Sequence, residues 1–344
     1  MERENVRSLL PEELEAEFLE LDLPAWRAKQ VFRWLHRGAS SFEEMTDLPA
    51  ALRKELSERY RLDPMRILSR QVSSDGTVKY LWGLFDGASV ESVVMSYHHG
   101  NTVCISSQVG CRQGCAFCAS TIGGKVRDLE AGEILAQVIW AQKDSGMPVS
   151  NVVLMGIGEP LDNFENVLRF LRLVNHPDGI CIGMRHISLS TCGIVENIDK
   201  LGDLDLQLTL SVSLHAPDDE TRSRIMPVNR RYGVDALLAA CARYFEKTGR
   251  RISFEYAMIR GVNDTPAQAR LLAKKLAHTG SHVNLIPLNE VEESPLQPSE
   301  PDSLRRFLGI LREQGINVTV RRKLGGDIDA SCGQLRRKRE RHGR

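Results

Sequence analysis

Three cysteines, Cys111, Cys115 and Cys118, lie within eight residues of one another in the segment Cys-Arg-Gln-Gly-Cys-Ala-Phe-Cys. Their spacing, C-x3-C-x2-C, allows one short loop to present three thiolates to a [4Fe–4S] cube. Three thiolates bind three of the four irons, so the fourth iron is left open to a small molecule. A cluster built only for electron transfer would normally use four cysteines. The spacing therefore predicts an iron–sulfur cluster with one exchangeable position.

A zinc site is the alternative for the same three cysteines. His98 and His99 precede the loop and could supply the fourth ligand that tetrahedral zinc requires. Against zinc, C-x3-C is unusual, because C-x2-C pairs dominate zinc sites. The alternative function is then a zinc-stabilised RNA-binding protein without catalysis. Metal content separates the two, because the zinc protein would show no iron–sulfur absorbance.

Hydrophobic and polar segments alternate from residue 101 onward in a pattern typical of β/α units. Strands are predicted at Thr102–Ser106, Val152–Met155, His186–Ser190, Leu206–Ser213, Arg251–Met258 and Val283–Pro287, and helices at Ala131–Lys143, Phe164–Val174, Val195–Leu201, Val234–Lys247 and Pro266–His278. Six units are short of the eight that close a TIM barrel. We therefore predict an α/β fold with an open, partial (β/α)6 TIM-like barrel, whose first strand leads into the cysteine loop.

Segments of different character flank the predicted barrel. Residues 1–64 have apolar positions at helical spacing and predict a small helical N-terminal domain. We expect this domain to bind RNA, and a purely structural cap is the alternative. Residues 65–100 combine turn signals with alternating runs and predict a short antiparallel sheet. The barrel spans 101–290. Residues 291–344 carry an acidic loop, a helix, a strand, the segment 325–335 that contains Cys332 (the Cys332 segment) and a basic tail.

Composition limits the function classes. The chain has 344 residues, 42% hydrophobic and 26% charged, as in ordinary globular proteins of about two domains. No apolar run approaches the ~18 residues that a membrane span needs, and no apolar signal segment follows Met1. Eight cysteines, three of them clustered, favour a reducing compartment and metal chemistry. We expect a cytoplasmic protein with no membrane association.

Charge is balanced overall but unevenly distributed. Lysine plus arginine and aspartate plus glutamate number 45 each. Residues 336–344 nevertheless hold six basic residues and one acid, and Arg321, Arg322 and Lys323 form a second basic group. Such groups can pair with the phosphates of a nucleic acid. A solvated tail is the alternative for 336–344.

Polar residues follow the predicted strands at the ends where a (β/α) array binds its ligands. The second strand is followed by Gly156-Ile157-Gly158-Glu159-Pro160, and the third ends in Ser190-Thr191-Cys192-Gly193. The fourth ends in Ser213-Leu214-His215, and the sixth is followed by Asn289. Four polar strand ends at one face predict a single cofactor pocket, in which Glu159 or neighbouring carbonyls could bind an amino group.

The cysteine loop resembles the signature of radical S-adenosylmethionine (SAM) enzymes, in which the open iron chelates SAM. With the Gly-Glu-Pro turn, the Ser-Thr-Cys-Gly and Ser-Leu-His strand ends and the segment Asp-Ile-Asp-Ala-Ser-Cys-Gly-Gln-Leu, nearly the whole chain resembles the RlmN family. The resemblance implies a partial barrel of the radical SAM type. It also implies a methyltransferase that modifies carbon 2 of adenosine in 23S rRNA and in certain tRNAs.

The resemblance implies roles for residues far apart in the chain. One SAM methylates the thiolate of Cys332, and a second SAM, bound to the cluster of Cys111, Cys115 and Cys118, yields a radical that abstracts hydrogen from that methyl group. The carbon radical adds to adenine, and Cys104 then resolves the adduct through a disulfide with Cys332. A radical route is needed because carbon 2 of adenine is electron-poor. The matching proton acceptor is Glu91, and the matching SAM-binding residues are Gly158, Glu159, Ser190, Ser213, Leu214, His215 and Asn289.

The resemblance further implies two SAM molecules per turnover, an electron donor such as flavodoxin or ferredoxin, and a monomer. The related Cfr-type enzymes, which methylate carbon 8 of the same rRNA adenosine, are the alternative. Pro160 after Gly-Glu, Cys192 in Ser-Thr-Cys-Gly and the complete Cys332 segment favour RlmN. Ser331 departs from the family, which more often has alanine there. The remaining cysteines, Cys181, Cys192 and Cys241, are interpreted as structural.

Overall fold

The computed structural model describes residues 3–342 apart from 99, 290, 292, 323 and 330. His99 and Lys323 therefore lie outside the described residues. The described helices are α1 Pro11–Glu20, α2 Ala25–His36, α3 Ala50–Arg59, α4 Ala131–Ser145, α5 Phe164–Asn175, α6 Val195–Asp203, α7 Asp219–Ile225, α8 Val234–Thr248, α9 Pro266–Leu276, α10 Pro301–Glu313 and α11 Gln334–His342. The described strands are β1 Glu4–Asn5, β2 Tyr60–Arg61, β3 Arg66–Val72, β4 Val78–Gly83, β5 Ser89–Tyr97, β6 Gly100–Cys104, β7 Gln108–Gly110, β8 Lys125–Asp128, β9 Val149–Leu154, β10 Ile187–Thr191, β11 Thr209–Ser213, β12 Ser253–Met258, β13 His282–Pro287 and β14 Asn317–Val320.

The main sheet has the strand order β14-β13-β12-β11-β10-β9-β6-β5-β4-β3 among the described residues. The six predicted barrel strands pair in parallel from β6 to β13, and β14 adds a seventh parallel strand after α10. The sheet ends at β14 and β3 without closing on itself. The predicted α/β fold with an open partial barrel is confirmed.

The three antiparallel strands β3, β4 and β5 continue the same sheet. The tight turn between β5 and β6 makes these strands antiparallel, with Tyr97 opposite Gly100 and Val93 opposite Cys104. The predicted antiparallel strands are present, and they are joined edge to edge with the barrel. This join brings β4 and β5 beside the mouth of the barrel.

Among the described residues, most buried hydrophobic side chains belong to one cluster, which runs beneath the helices from Val6 at the N-terminus to Val318 in β14, and two small clusters lie apart from it. The N-terminal helices are attached to the barrel through α4 and α5. The backbone N–H of Gly132 donates to Ser8 Oγ at 2.9 Å, and Arg169 forms an ion pair with Glu13. These helices share their core with the barrel because their apolar faces pack against its outer helices.

Within the described residues, the structure contains no helix that has both the length and the apolar character to cross a membrane.

Candidate active site

The cysteine loop begins where β7 ends, on the carboxyl side of β6, as the sequence predicts. Cys111 follows Gly110 directly, and the backbone N–H of Cys118 donates to the Cys115 carbonyl at 3.1 Å. The N–H of Ala116 donates to the Ile225 carbonyl at 2.9 Å, which ties the loop to the end of α7. The loop is therefore held on both sides and presents its thiols to the barrel mouth.

Burial opposes ionisation of these three thiols. Desolvation raises the pKa of Cys111 to about 12 and raises those of Cys115 and Cys118 as well. Thiolates at this site therefore require a compensating positive charge, which iron supplies. Among the described residues, no three His, Cys, Asp or Glu side chains converge closely enough to hold one metal ion.

His98 lies at the turn between β5 and β6, beside the first residue of β6. The cysteine loop follows the opposite end of that strand. The whole length of β6 therefore separates His98 from the three cysteines. This placement argues against a zinc site with His98 as its fourth ligand. His99 lies outside the described residues.

An open cavity of about 1180 Å³, a volume that includes solvent at its mouth, lies beside the cysteine loop. The three cluster cysteines line it together with six of the seven predicted SAM-binding residues: Gly158, Glu159, Ser190, Ser213, His215 and Asn289. The seventh, Leu214, is fully buried in the core, and its backbone N–H donates to the Glu255 carbonyl at 3.1 Å. The polar residues at the ends of the predicted strands therefore do share one cavity.

The turn after β9 depends on Gly158. Its φ is +109°, and an added Cβ would lie 2.7 Å from Cβ of Gln108. Glu159 follows with a buried carboxylate that accepts the backbone N–H of Cys192 at 2.7 Å and that of Leu161 at 3.0 Å. Burial raises the pKa of Glu159. The carboxylate therefore joins the ends of β9 and β10 and lies at the wall of the cavity.

His215 is a neutral group in this site. Burial, with a smaller effect of Arg222, lowers its pKa to about 3. Its Nδ1 accepts the backbone N–H of Ala257 at 2.9 Å, so the ring proton resides on Nε2. Phe117 of the cysteine loop contacts the ring edge-on, with the two centroids 4.8 Å apart. The imidazole is thus a fixed donor at the cavity wall.

Cys332 and Cys104 meet at the mouth of the barrel. The side chains of Cys104 and Cys332 interact, which raises the pKa of Cys104 and lowers that of Cys332, and neither cysteine is in a disulfide. When protonated, Cys332 Sγ donates to the Met155 carbonyl at 3.1 Å, so the sulfur has a partner in either protonation state. A Cβ added to Gly333 would lie 2.8 Å from the backbone nitrogen of Ser120. The Cys332 segment therefore packs directly on the cysteine loop.

Cys332 separates two cavities. It lines the cavity of the cluster cysteines, and it also lines a second, open cavity of about 1570 Å³ together with Cys104, Arg321 and Arg322. Arg321 lines both cavities. A group carried by the Cys332 sulfur could therefore face either side.

Glu91 is buried among hydrogen-bond donors. Its carboxylate forms an ion pair with Lys79 at 2.5 Å. It also accepts the backbone N–H groups of Gly333 at 2.7 Å and of Arg336 at 2.6 Å. The residue that the family resemblance identifies as a proton acceptor thus also holds the Cys332 segment.

Sequence reasoning missed three polar residues of this region: Lys79, Arg222 and Glu255. Arg222 is fully buried in α7 and donates to the Cys192 carbonyl at 2.7 Å and the Ser213 carbonyl at 3.1 Å, which fixes the ends of β10 and β11. Glu255 lines the first cavity, and burial raises its pKa. Glu255 stands in a barrel strand, which is a signal that could have found it. Arg222 in a helix carries no such signal.

Much of the basic tail is paired within the molecule. Arg337 and Arg341 contact Glu293 of the acidic loop at 3.1 and 2.6 Å, and Lys338 contacts Asp329 at 2.6 Å. The tail forms α11 up to His342. The contribution of the tail to RNA binding stays a prediction. The contribution of the basic group at residues 321–323 also stays a prediction.

Comparison with known proteins agrees with this arrangement. The model of the radical SAM superfamily matches residues 105–271, and that of the ribosomal RNA large subunit methyltransferase N-terminal domain matches residues 4–62. A crystal structure of a radical SAM methyltransferase from Sphaerobacter thermophilus superposes with a TM-score of 0.92 at 43% identity, covering 96% of this chain and 98% of that chain.

Two curated relatives match almost end to end, and both are described as probable dual-specificity RNA methyltransferase RlmN. The protein from Alkaliphilus metalliredigens is 49% identical over 339 residues, covering 98% of this chain and 96% of the relative. The protein from Desulforamulus reducens is 51% identical over 338 residues, covering 98% and 97%. The superfamily implies a [4Fe–4S] cluster and SAM, which the cysteine-lined cavity fits. The chain belongs to the RlmN family of radical SAM RNA methyltransferases.

Proposed function

We propose that the protein methylates carbon 2 of an adenosine in 23S rRNA and of an adenosine in certain tRNAs, through a methyl group carried on Cys332. The observation that carries the proposal is the position of Cys332. Cys332 lines both the cavity of the three cluster cysteines and a second open cavity, which Cys104 also lines. A methyl carrier needs access to its donor on one side and its acceptor on the other.

Each residue has a task that its surroundings support. Cys111, Cys115 and Cys118 would bind the cluster, and Gly158, Glu159, Ser190, Ser213, His215 and Asn289 would bind SAM, with Leu214 contributing backbone. When bound, the cluster and SAM supply the radical chemistry that an unreactive aromatic carbon requires. His215 offers a fixed donor from Nε2 at the cavity wall. Two SAM molecules are used per turnover.

Cys104 is the resolving residue in this proposal. After its thiol has given up its proton, the Cys104 sulfur attacks the Cys332 sulfur, so that an S–S bond forms while the bond from the Cys332 sulfur to the RNA-bound carbon breaks. The electron pair of that bond passes to the carbon, which then takes up a proton. The hydrogen bond between the two cysteines supports the short approach that this exchange needs. Glu91 is the proton acceptor.

Arg321 and Arg322 at the second cavity support its use by RNA, because cations there can contact phosphates near the target base. The adenosine must be exposed from folded RNA to reach Cys332. The reductant is a small electron-transfer protein such as flavodoxin or ferredoxin. The enzyme works as a monomer in the cytoplasm.

Nucleoside mass spectrometry of rRNA and tRNA tests the proposal. A strain lacking the gene should lose 2-methyladenosine from both RNAs, and expression of the intact chain should restore it. Expression of the Cys332→Ala variant is the matched control and should restore neither. Appearance of 8-methyladenosine would instead identify a Cfr-type enzyme, and unchanged RNA in all strains would reject RNA methylation.

A further inference from the structure

Lys79 and Glu91 form an ion pair that is almost completely withdrawn from solvent. Their side chains are 1% and 2% exposed, and Nζ lies 2.5 Å from Oε2. Lys79 belongs to β4 and Glu91 to β5, in the antiparallel part of the sheet. Charged residues in alternating strands ordinarily face water, so this burial requires a cause.

The cause is the Cys332 segment, which covers both charges. Lys79 Nζ donates to the Ser331 carbonyl at 3.0 Å, on one side of Cys332. The carboxylate of Glu91 accepts the N–H of Gly333 at 2.7 Å, on the other side. The ion pair therefore binds the backbone immediately before and immediately after the cysteine.

Fold stability does not explain such a pair. Burying two charges costs desolvation energy, and apolar residues of the same volume often replace a buried ion pair without loss of stability. Apolar residues could not bind the Ser331 carbonyl or the Gly333 N–H. The pair thus provides a donor and an acceptor at fixed positions, which is what a loop carrying a reactive group needs.

We propose that Lys79 is a positioning residue of the methyl-carrying step, which together with Glu91 fixes the backbone on both sides of Cys332. The proposal rests on the proposed function only in assigning Cys332 as the methyl carrier. Cys332 is placed by these contacts beside Cys104 and the Met155 carbonyl. Without them the sulfur leaves the boundary between the two cavities.

The test compares the double variant Lys79→Met/Glu91→Gln with the wild-type protein and with Lys143→Met. The double variant removes both buried charges, so neither is left unpaired. Lys143 is the matched control, because its ammonium also donates to a loop carbonyl, that of Gly38 at 3.1 Å, but joins α4 to the N-terminal region and not to the Cys332 segment. The measurements are hydrogen exchange of residues 324–336, the fraction of S-methylated Cys332 in purified protein, and iron content.

In the double variant we expect amide exchange in 324–336 to rise and the methylated fraction of Cys332 to fall, each roughly 10-fold or more. Exchange in β10–β12 and iron content should stay at wild-type values, and Lys143→Met should match wild type throughout. The methylated fraction of Cys332 is measured because S-methylation precedes any proton transfer by Glu91, so loss of that proton transfer cannot change it. If the double variant does not fold, Lys79→Gln answers the same question, because glutamine is shorter than lysine and cannot place a donor where Nζ lies, 3.0 Å from the Ser331 carbonyl.

Unchanged exchange in 324–336 together with an unchanged methylated fraction would overturn the positioning role. A wild-type protein without any S-methylated Cys332 would overturn the proposed function instead, and the exchange data would still decide the role of Lys79. Loss of iron in the double variant would also count against the proposal, because it would indicate general damage to the site.

Discussion

At Cys332, three neighbours favour the thiolate over the thiol. The hydrogen bond from Cys104 is the largest influence, and the charges of Lys79 and Arg321 act in the same direction. Burial and Glu91 oppose them, and the net result lowers the pKa of Cys332 to about 6. A thiolate at neutral pH is the nucleophile that methyl transfer to sulfur needs.

Alkylation of Cys332 should therefore follow a midpoint near pH 6. Because the thiolate is the reactive form, the rate should be near its maximum at pH 7 and fall about 10-fold per pH unit well below the midpoint. Iodoacetamide labelling with peptide mass spectrometry measures this for each cysteine. Cys241 is the internal reference, since burial raises its pKa to about 12 and it should stay unlabelled at pH 7.

Removing the strongest influence should shift that midpoint upward. In Cys104→Ala the donated hydrogen bond is lost, so the pKa of Cys332 should rise and labelling at pH 7 should slow. A wild-type midpoint near that of an unperturbed thiol would contradict the assigned thiolate. So would a midpoint that does not move in Cys104→Ala.

The order in which the two cysteines act predicts different failures for their variants. Cys332→Ala removes the methyl carrier and should leave RNA unmodified without any covalent complex. Cys104→Ala should still form the carbon–carbon bond but should stall with RNA attached to Cys332. Denaturing gel electrophoresis of purified protein with labelled RNA separates these outcomes. Absence of a complex in both variants, or methylated RNA from Cys332→Ala, would remove both cysteines from the reaction.

The turn after β9, which is proposed to bind SAM, requires glycine at position 158. In Gly158→Ala the new Cβ meets Gln108, and the residue keeps a φ of +109° that alanine avoids. We expect a loss of about 1–3 kcal/mol in the free energy of unfolding and weaker SAM binding. Gly87→Ala is the control, because its φ is +84° but its Cβ would have no neighbour within 4 Å. Urea unfolding compares the two, and an equal loss in both would refute the steric argument.

Among the elements, the barrel strands and helices were predictable because their hydrophobic periodicity is local. The polar strand ends were predictable too, since parallel strands bring those ends to one edge. The covering of β4 was not predictable. All six residues Val78–Gly83 are buried, and the one charged residue among them, Lys79, is covered by the Cys332 segment through the Ser331 carbonyl. Lys79 and Ser331 are 252 residues apart, and a contact over that separation does not affect the local hydrophobic periodicity. The role of Lys79 could therefore not be predicted from the sequence.

The turn between β3 and β4 provides a second attachment for the Cys332 segment. Asp327 forms a hydrogen bond with Ser73 Oγ and accepts the N–H of Ser74 at 3.0 Å. The Asp75 carboxylate accepts the N–H of Gly325 at 2.8 Å. These hydrogen bonds lower the pKa of both carboxyls, so the attachment involves carboxylates.

Asp327→Ala should therefore loosen the start of the Cys332 segment. We expect faster hydrogen exchange at 324–329 and a reduced fraction of methylated Cys332, with wild-type iron content. Asp86→Ala is the matched control, because Asp86 accepts the N–H of Ala88 at 3.0 Å within the next turn. Equal exchange at 324–329 in both variants would show that the turn does not hold the segment.

At the scale of the whole molecule, the N-terminal helices and the barrel share the main hydrophobic cluster of the described residues, and this limits how far these helices can act alone. Core residues of α1 and α2 belong to the same cluster as those of β9–β14. The sequence predicts a separate helical domain over 1–64, and that boundary stays a prediction. A shared core means that the helices and the barrel should lose their structure together, since neither can expose its apolar face cheaply.

Two helical glycines test this coupling. In Gly132→Ala the added Cβ would lie 2.9 Å from the backbone nitrogen of Ser8, where the N-terminal segment meets α4. We expect the free energy of unfolding to fall by about 1–3 kcal/mol through overpacking. In Gly309→Ala no atom lies within 4 Å of the new Cβ, so the helix should gain about 0.5–1 kcal/mol. Urea titrations followed by circular dichroism and by tryptophan fluorescence measure both variants. If Gly132→Ala split the unfolding into two transitions, with only the first displaced, the N-terminal helices would be an independent unit.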